Sequence, residues 1–164
     1  MKITYKITTF FLTLLTIITA IILIILNNKD NNNNVDLKIK ERDSLALRDS
    51  ILTEIYNLRI EHPYIVYAQA IVESGNFTSK IWRENHNMFG MKMPERRATL
   101  AKKIRYGHAV YNNWRECLID YSLYQMAYMK GLDENQYFNK LQNFYAQDSQ
   151  YVEKIKKIKN SLKK

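Results

Sequence analysis

The chain has 164 residues, with 25 Lys and Arg against 16 Asp and Glu, three His and one Cys. That length holds one domain of ordinary size plus accessory segments, and a lone Cys117 excludes an intrachain disulfide, so stability must come from a hydrophobic core. The formal charge of +9 is uneven: residues 153–164 carry six lysines against Glu153, whereas residues 35–152 are nearly balanced, with 16 basic and 14 acidic side chains. His62, His86 and His108 are widely scattered and no Cys pair or H-x-x-x-H exists, so no metal site and no cofactor is expected.

Lys2 and Lys6 precede a run from Ile7 to Leu26 without charge, Gly or Pro. About 30 Å of helix would result, enough to cross a bilayer core. The run exceeds a usual signal h-region and lacks an A-x-A-like site, so residues 1–26 read as an uncleaved transmembrane signal anchor. A cleaved signal peptide is the alternative. The positive flank places the N-terminus in the cytoplasm and the remainder outside, facing periplasm or wall, on a single-pass membrane protein. Such a domain has no nucleic acid to meet. Residues 27–42, opening with the asparagine-rich Asn27–Asn34, read as a polar tether or stalk, and residues 43–164 as the domain.

Leu45, Leu47, Ile51, Ile55 and Leu58 recur at helical steps up to Ile60, with Asp43 as a candidate N-cap. Pro63 opens a second helix that runs to Ser74 and stops at Gly75. A short helical piece covers Ser79 to Arg83, and Asn85 to Lys92 is a loop. Arg96–Thr99 and Ile104–Val110 are weak strand candidates for a small hairpin. Trp114–Lys130 is a long helix ended by Gly131, Asn135–Phe144 another, and Asp148 caps a last one over Ser149–Leu162. In that last helix Val152, Ile155, Ile158 and Leu162 form an apolar stripe. Its lysines are either a solvated face or a surface for anionic envelope polymers or lipid headgroups.

Glu73 stands out. It ends the apolar stretch Ala68-Gln69-Ala70-Ile71-Val72-Glu73-Ser74-Gly75. The last turn of a helix is the negative end of its dipole, and aliphatic neighbours desolvate; both raise the pKa of a carboxyl. An acid kept protonated near neutral pH suits proton donation to a glycosidic oxygen. By spacing alone, an exposed helix-end glutamate or one satisfied by Arg83 fits equally well. Cys117, inside an apolar helical pattern, reads as a buried structural thiol rather than a nucleophile.

Glu73-Ser74-Gly75 is followed by Asn87-Met88-Phe89-Gly90-Met91-Lys92, then by Tyr111-Asn112-Asn113-Trp114 and Tyr145-Ala146-Gln147-Asp148-Ser149-Gln150-Tyr151. In this order the segments resemble the glucosaminidase domain of bacterial cell-wall hydrolases, family 73 of the glycoside hydrolases in the lysozyme-like superfamily. Met88 replaces the family's leucine, His86 a frequent asparagine, and Ser149 a proline. The resemblance implies a mainly α, lysozyme-like helical domain with a small irregular or β-hairpin lobe. It implies an endo-β-N-acetylglucosaminidase acting on the glycan strands of peptidoglycan, with Glu73 as general acid. Tyr111 would lie near the cleaved bond and orient the substrate's acetamido group. Ser74, Asn87, Phe89, Gly90, Lys92 and Tyr124 would bind the sugars. Core packing is an equal alternative for Phe89.

The family's second carboxylate has no clear counterpart, since no Asp or Glu lies between Arg96 and Arg115. Either Glu95 activates the water or the substrate's acetamido group assists. Three other readings stay open: a non-catalytic, membrane-tethered peptidoglycan-binding module, a phage or prophage endolysin of the same fold, and a helical envelope protein without a site.

Overall fold

The computed structural model describes the backbone of residues 2–144 and 150–162, and leaves aside the side chains of residues 2–18, 20, 21, 24, 28, 32 and 144. The expected Asp148 cap and the Tyr145–Ser149 part of the late motif therefore lie outside the described residues. The chain divides into Met1–Leu47 and a compact unit, Arg48–Lys164.

Helix α1 spans Lys2–Asn57 without a break. Asn27–Asn34 is thus helical, where an irregular tether was expected, and Asp43 lies inside a helix instead of capping one. Asparagine is less favourable than alanine in a helix by about half a kcal/mol. Propagation from an existing helix nevertheless adds a hydrogen bond per residue, whereas starting anew requires a costly nucleus. Among the described residues, no helix is long and apolar enough to cross a membrane. Much of Ile7–Leu26 is outside that set, so the transmembrane reading of this run is a sequence expectation only. The last turns of α1 contribute Ile51 and Ile55, both fully buried, to the compact unit, while Leu45 is exposed.

At the centre of the compact unit is α2 (Pro63–Glu73), in which six consecutive residues, Ile65 to Ala70, are buried. A helix buried on all sides must be surrounded by other elements. Pro63 occupies its first turn, where the missing N–H costs nothing, after His62 in the left-handed region. Against α2 packs α6 (Tyr151–Ser161) through Tyr151, Val152 and Ile155, and α5 (Glu134–Phe144) packs on α6. The apolar stripe of the last helix is therefore the α2-facing side. Lys159 interrupts that side and is kept there by an ion pair with Glu134. The N-terminus of α5 is closed reciprocally, Gln136 N–H on Asp133 Oδ1 and Asp133 N–H on Gln136 Oε1. α4 (Trp114–Tyr128) is capped by Asn113, which accepts the Glu116 N–H at 3.1 Å. It presents Cys117, Leu118, Tyr121 and Gln125 to the interior.

The small lobe consists of α3 (Lys80–Asn85) and an antiparallel hairpin, β1 (Lys103–Arg105) and β2 (His108–Val110), in register Arg105 opposite His108. Ile104–Val110, expected as one strand, folds back on itself at Tyr106 and Gly107. Both adopt the left-handed region, φ 56° and 74°, as a two-residue hairpin turn of type I′ requires. Arg96–Thr99 is not a strand, because Arg97 turns inward to a buried carboxylate.

Candidate active site

Glu73 ends α2. The chain closes behind it through Gly75 N–H to Val72 C=O, 3.2 Å, and Asn76 N–H to Ile71 C=O, 2.7 Å. Gly75 takes φ 57° at this stop, the conformation that glycine adopts without strain. Ser74 is fully buried and its Oγ accepts the Phe77 N–H at 2.8 Å. It braces the turn and offers nothing to solvent.

The Asn87–Lys92 loop faces the end of α2. One side chain fixes its shape. Asn87 Nδ2 donates to Met91 C=O at 2.8 Å and to Ala109 C=O at 2.9 Å, while Oδ1 accepts the Met91 N–H at 3.0 Å. The same amide therefore closes the turn and ties it to β2. Phe89, fully buried, stacks on Tyr121 with ring centroids 4.0 Å apart. Gly90 then sits at φ +62°, and a Cβ placed there would come 3.5 Å from Glu73 Oε2. The loop backbone and the carboxyl are thus near neighbours. Gly90→Ala is expected to cost about 1–2 kcal/mol for left-handed backbone in an L-residue, lowering Tm by roughly 4 °C or more, and to add a methyl group against Glu73. Differential scanning calorimetry checks the first effect and turnover the second.

Two further groups reach Glu73. Tyr151, from α6, hydrogen-bonds to it. His108, from β2, bonds the Gly90 carbonyl. The Gly90 carbonyl can only accept, so His108 Nδ1 carries a proton and donates at 2.8 Å. Burial pushes the Glu73 carboxyl above the ordinary glutamate range. The Tyr151 hydroxyl and the His108 charge pull the other way without cancelling it. Burial also drives the Tyr151 hydroxyl up, and the adjacent Glu73 adds to it, so Tyr151 is a neutral donor.

Tyr111 is turned into the interior. It is 2% exposed, and its hydroxyl donates to Asp120 Oδ2 at 2.8 Å. Arg97 grips the same carboxylate with two bonds of 2.9 and 3.0 Å, and Leu100 N–H adds a third donor at 3.1 Å. Burial would raise Asp120, yet Arg97, Tyr111 and Thr99 outweigh it and hold the carboxyl below its usual range. This is an anchor between the loop before β1 and α4. Sequence resemblance placed Tyr111 by its neighbours, whereas its hydroxyl is claimed by a residue nine positions later.

Glu95 and Lys92 are exposed, and neither has an ion-pair partner among the described residues. Tyr124 is half-buried, the middle of a row Tyr121–Tyr124–Tyr128 with centroids 5.8 and 5.2 Å apart. Cys117 is buried, and burial pushes its thiol up to about 12, which leaves it inert at neutral pH. Among the described residues no cluster of His, Cys, Asp or Glu is suited to hold a metal ion.

Tyr151, His108 and Gln69 are the neighbours of Glu73 that sequence reasoning passed over. Gln69 lies one helical turn before Glu73 and was visible as a polar residue in an apolar run. Tyr151 carries a signal only as the closing residue of the late family motif, with no role attached to it, and His108 carries none.

Residues 52–164 match the family model Glucosaminidase, described as mannosyl-glycoprotein endo-beta-N-acetylglucosaminidase. The fold is similar to that of the catalytic domain of the autolysin Auto from Listeria monocytogenes, with a TM-score of 0.53 and 21% identity over 73% of this chain and 84% of that one. No curated protein matches. A helix-end carboxyl beside a Phe-Gly loop, set in a family match that covers more than half of the residues, places the chain: it belongs to the glucosaminidase family of glycoside hydrolases.

Proposed function

We propose that this protein cleaves the glycan strands of peptidoglycan as an endo-β-N-acetylglucosaminidase, with Glu73 as general acid. The observation that carries the reading is the Glu73 carboxyl, half-buried and raised in pKa beside the side-chain-free Gly90. A protonated acid next to exposed backbone can approach a glycosidic oxygen closely. The autolysin resemblance favours a wall polymer over other glycans.

The water-activating role falls to the substrate's own acetamido group or to Glu95. Asp120 is engaged by Arg97, and Glu116 by the Asn112 backbone and side chain. Tyr124 and the edge of the Gly90 loop are the sugar contacts in this scheme. Ser74, Asn87 and Phe89 hold the site in shape from behind. The Ile7–Leu26 run anchors the chain in the membrane with the compact unit outside the cytoplasm, and the exposed lysines of α6 face anionic envelope polymers.

The test is digestion of purified sacculi by the full-length chain in detergent, with released fragments read by mass spectrometry. Fragments ending in reducing N-acetylglucosamine are expected. Unchanged sacculi, or a Glu73→Gln variant as active as the parent, would remove the assignment. The absence of any carboxylate between Arg96 and Arg115 favours one second reading, a wall-binding module. It would retain sacculi in a pull-down at every pH and release no fragment.

A further inference from the structure

Gln125 is 4% exposed and is locked to the peptide of Glu61. Its Oε1 accepts the Glu61 N–H at 2.7 Å and its Nε2 donates to the Glu61 C=O at 2.9 Å. Backbone groups cannot exchange donor for acceptor, so this side-chain amide has one orientation. Its Nε2 also donates to the Tyr137 hydroxyl at 3.2 Å. Tyr137 therefore accepts there and has one proton to give. The Tyr121 hydroxyl is 2.7 Å away. Tyr121 in turn donates to Gln69 Oε1 at 2.7 Å, and Gln69 Nε2 donates to the Tyr151 hydroxyl at 3.3 Å. Tyr151 has accepted, and its proton goes to Glu73.

We propose that this chain, Gln125–Tyr137–Tyr121–Gln69–Tyr151, fixes the Tyr151 hydroxyl as a donor to Glu73, which makes Gln69, Tyr121 and Tyr137 positioning residues for the acid although none of them reaches the sugar. The inference rests on Glu73 being the general acid. Each hydroxyl has a single proton, so the direction set at the Glu61 peptide passes along the row to the carboxyl. Gln69, Tyr121, Tyr137 and Gln125 are all buried, Gln69 and the tyrosines 121 and 137 completely. Water therefore has no access by which to reverse the order, and a low dielectric strengthens each bond. Burial pushes the Tyr137 hydroxyl up to about 12, so it keeps its proton throughout the working range. The row also touches the loop, because Tyr121 stacks on Phe89.

The groups that act on Glu73 are Tyr151 from α6 and His108 from β2, the latter bonded to the Gly90 carbonyl. Those around Tyr137, besides Tyr121, are His62, edge-on at 5.0 Å, Tyr124 and Glu61. With the donor aimed at it, the Glu73 carboxylate is stabilised. Without it, Glu73 keeps its proton to higher pH.

Tyr137→Phe in the full-length chain tests this, with Tyr121→Phe as a second variant that preserves the Phe89 stack. The alkaline limb of kcat/KM, which reports the loss of the acid's proton, is expected to move to higher pH. A roughly 10-fold fall in kcat, with KM unchanged, should accompany it as Glu73 loses its fixed position. Titration of the 13C-labelled Glu73 carboxyl by NMR, without substrate, should show the same upward movement. A folded variant whose Glu73 titrates where the parent's does overturns the proposal, even if its activity falls. A parent chain that cleaves no glycan, but whose Glu73 midpoint moves in the variants, sinks the functional assignment and leaves the hydrogen-bond chain standing.

Discussion

Glu73→Gln should lower glycosidic cleavage by about 10²- to 10⁴-fold, the usual contribution of a general acid, and should make the folded chain more stable at neutral pH. Both follow from one cause. Burial raises the Glu73 pKa above that of the unfolded chain, so the ionised form is disfavoured in the folded state. The stability associated with the protonated carboxyl is fully present below the unfolded glutamate pKa of about 4.3 and is lost as pH rises through the folded value. Glutamine is neutral at every pH and keeps a carbonyl for the Tyr151 hydroxyl. The melting temperature of Glu73→Gln should therefore exceed the parent's at pH 7, and the two should converge toward pH 4. Equal melting temperatures at pH 7 would mean that the ionised carboxylate is not penalised where it sits. Glu73 would then have no physical reason to hold its proton at neutral pH.

Asp120→Ala should be far more damaging to the fold, by about 3–5 kcal/mol, because it leaves a buried guanidinium uncompensated. The Arg97 side chain is 8% exposed and that of Asp120 not at all. The Tyr111 hydroxyl and the Leu100 N–H would lose their acceptor as well. Against a total stability of roughly 5–15 kcal/mol, that is a large share, and a fall in Tm on the order of 10–20 °C follows. The triple replacement Arg97→Met, Asp120→Leu, Tyr111→Phe removes both charges and the phenol hydroxyl together, leaving the Leu100 N–H without its acceptor, and should cost much less than the single one. Thermal melts of the two variants decide it: a single replacement no worse than the triple would show that the carboxylate is not what holds Arg97 in. Acid should act in the same direction. The Asp120 pKa is depressed in the fold, so its contribution is fully present above the unfolded value of about 3.9 and is lost as pH falls from there through the lower folded value.

The apolar periodicity of 63–73, its glycine stop and the helices 114–128 and 134–144 could be read directly because their causes are local. Helix α2 is surrounded, so nearly every residue in it is apolar, and Glu73 is conspicuous by contrast. The hairpin expected between Arg96–Thr99 and Ile104–Val110 forms instead within 103–110 alone. Its turn uses Tyr106, an aromatic residue in a conformation that glycine and asparagine usually fill, so the stretch Ile104–Val110 looked like uninterrupted strand. Tyr151 lies 78 positions from Glu73, and no periodicity encodes which face of α6 lands on the end of α2. For Tyr111 a core tyrosine and a cleft tyrosine are equally compatible with the sequence, for the complementary reason. A tyrosine ahead of a helix can face a cleft or the core, and Asp120, one of two acids in Trp114–Tyr128, gave no sign that it would be buried with Arg97. The helical continuity of Asn27–Asn34 ran against residue propensity, which is a weak guide when a helix is already under way on one side.

The two ends of the hairpin are secured by different chemistry. Its base is held by neutral amides, Asn87 donating to Ala109 C=O at 2.9 Å and the Tyr111 N–H donating to Asn85 C=O at 3.0 Å. The tip rests on α3 through charges and an aromatic ring. Tyr106 donates to Glu84 at 2.7 Å, Arg105 stands 3.6 Å from the same carboxylate, and Lys80 Nζ lies 3.9 Å over the Tyr106 ring. Dissolved ions weaken exposed charge pairs and leave buried amides alone. Ionic strength thus becomes a selective handle: in brine the finger should loosen from its outer knuckle while its root, which borders the acid, stays put.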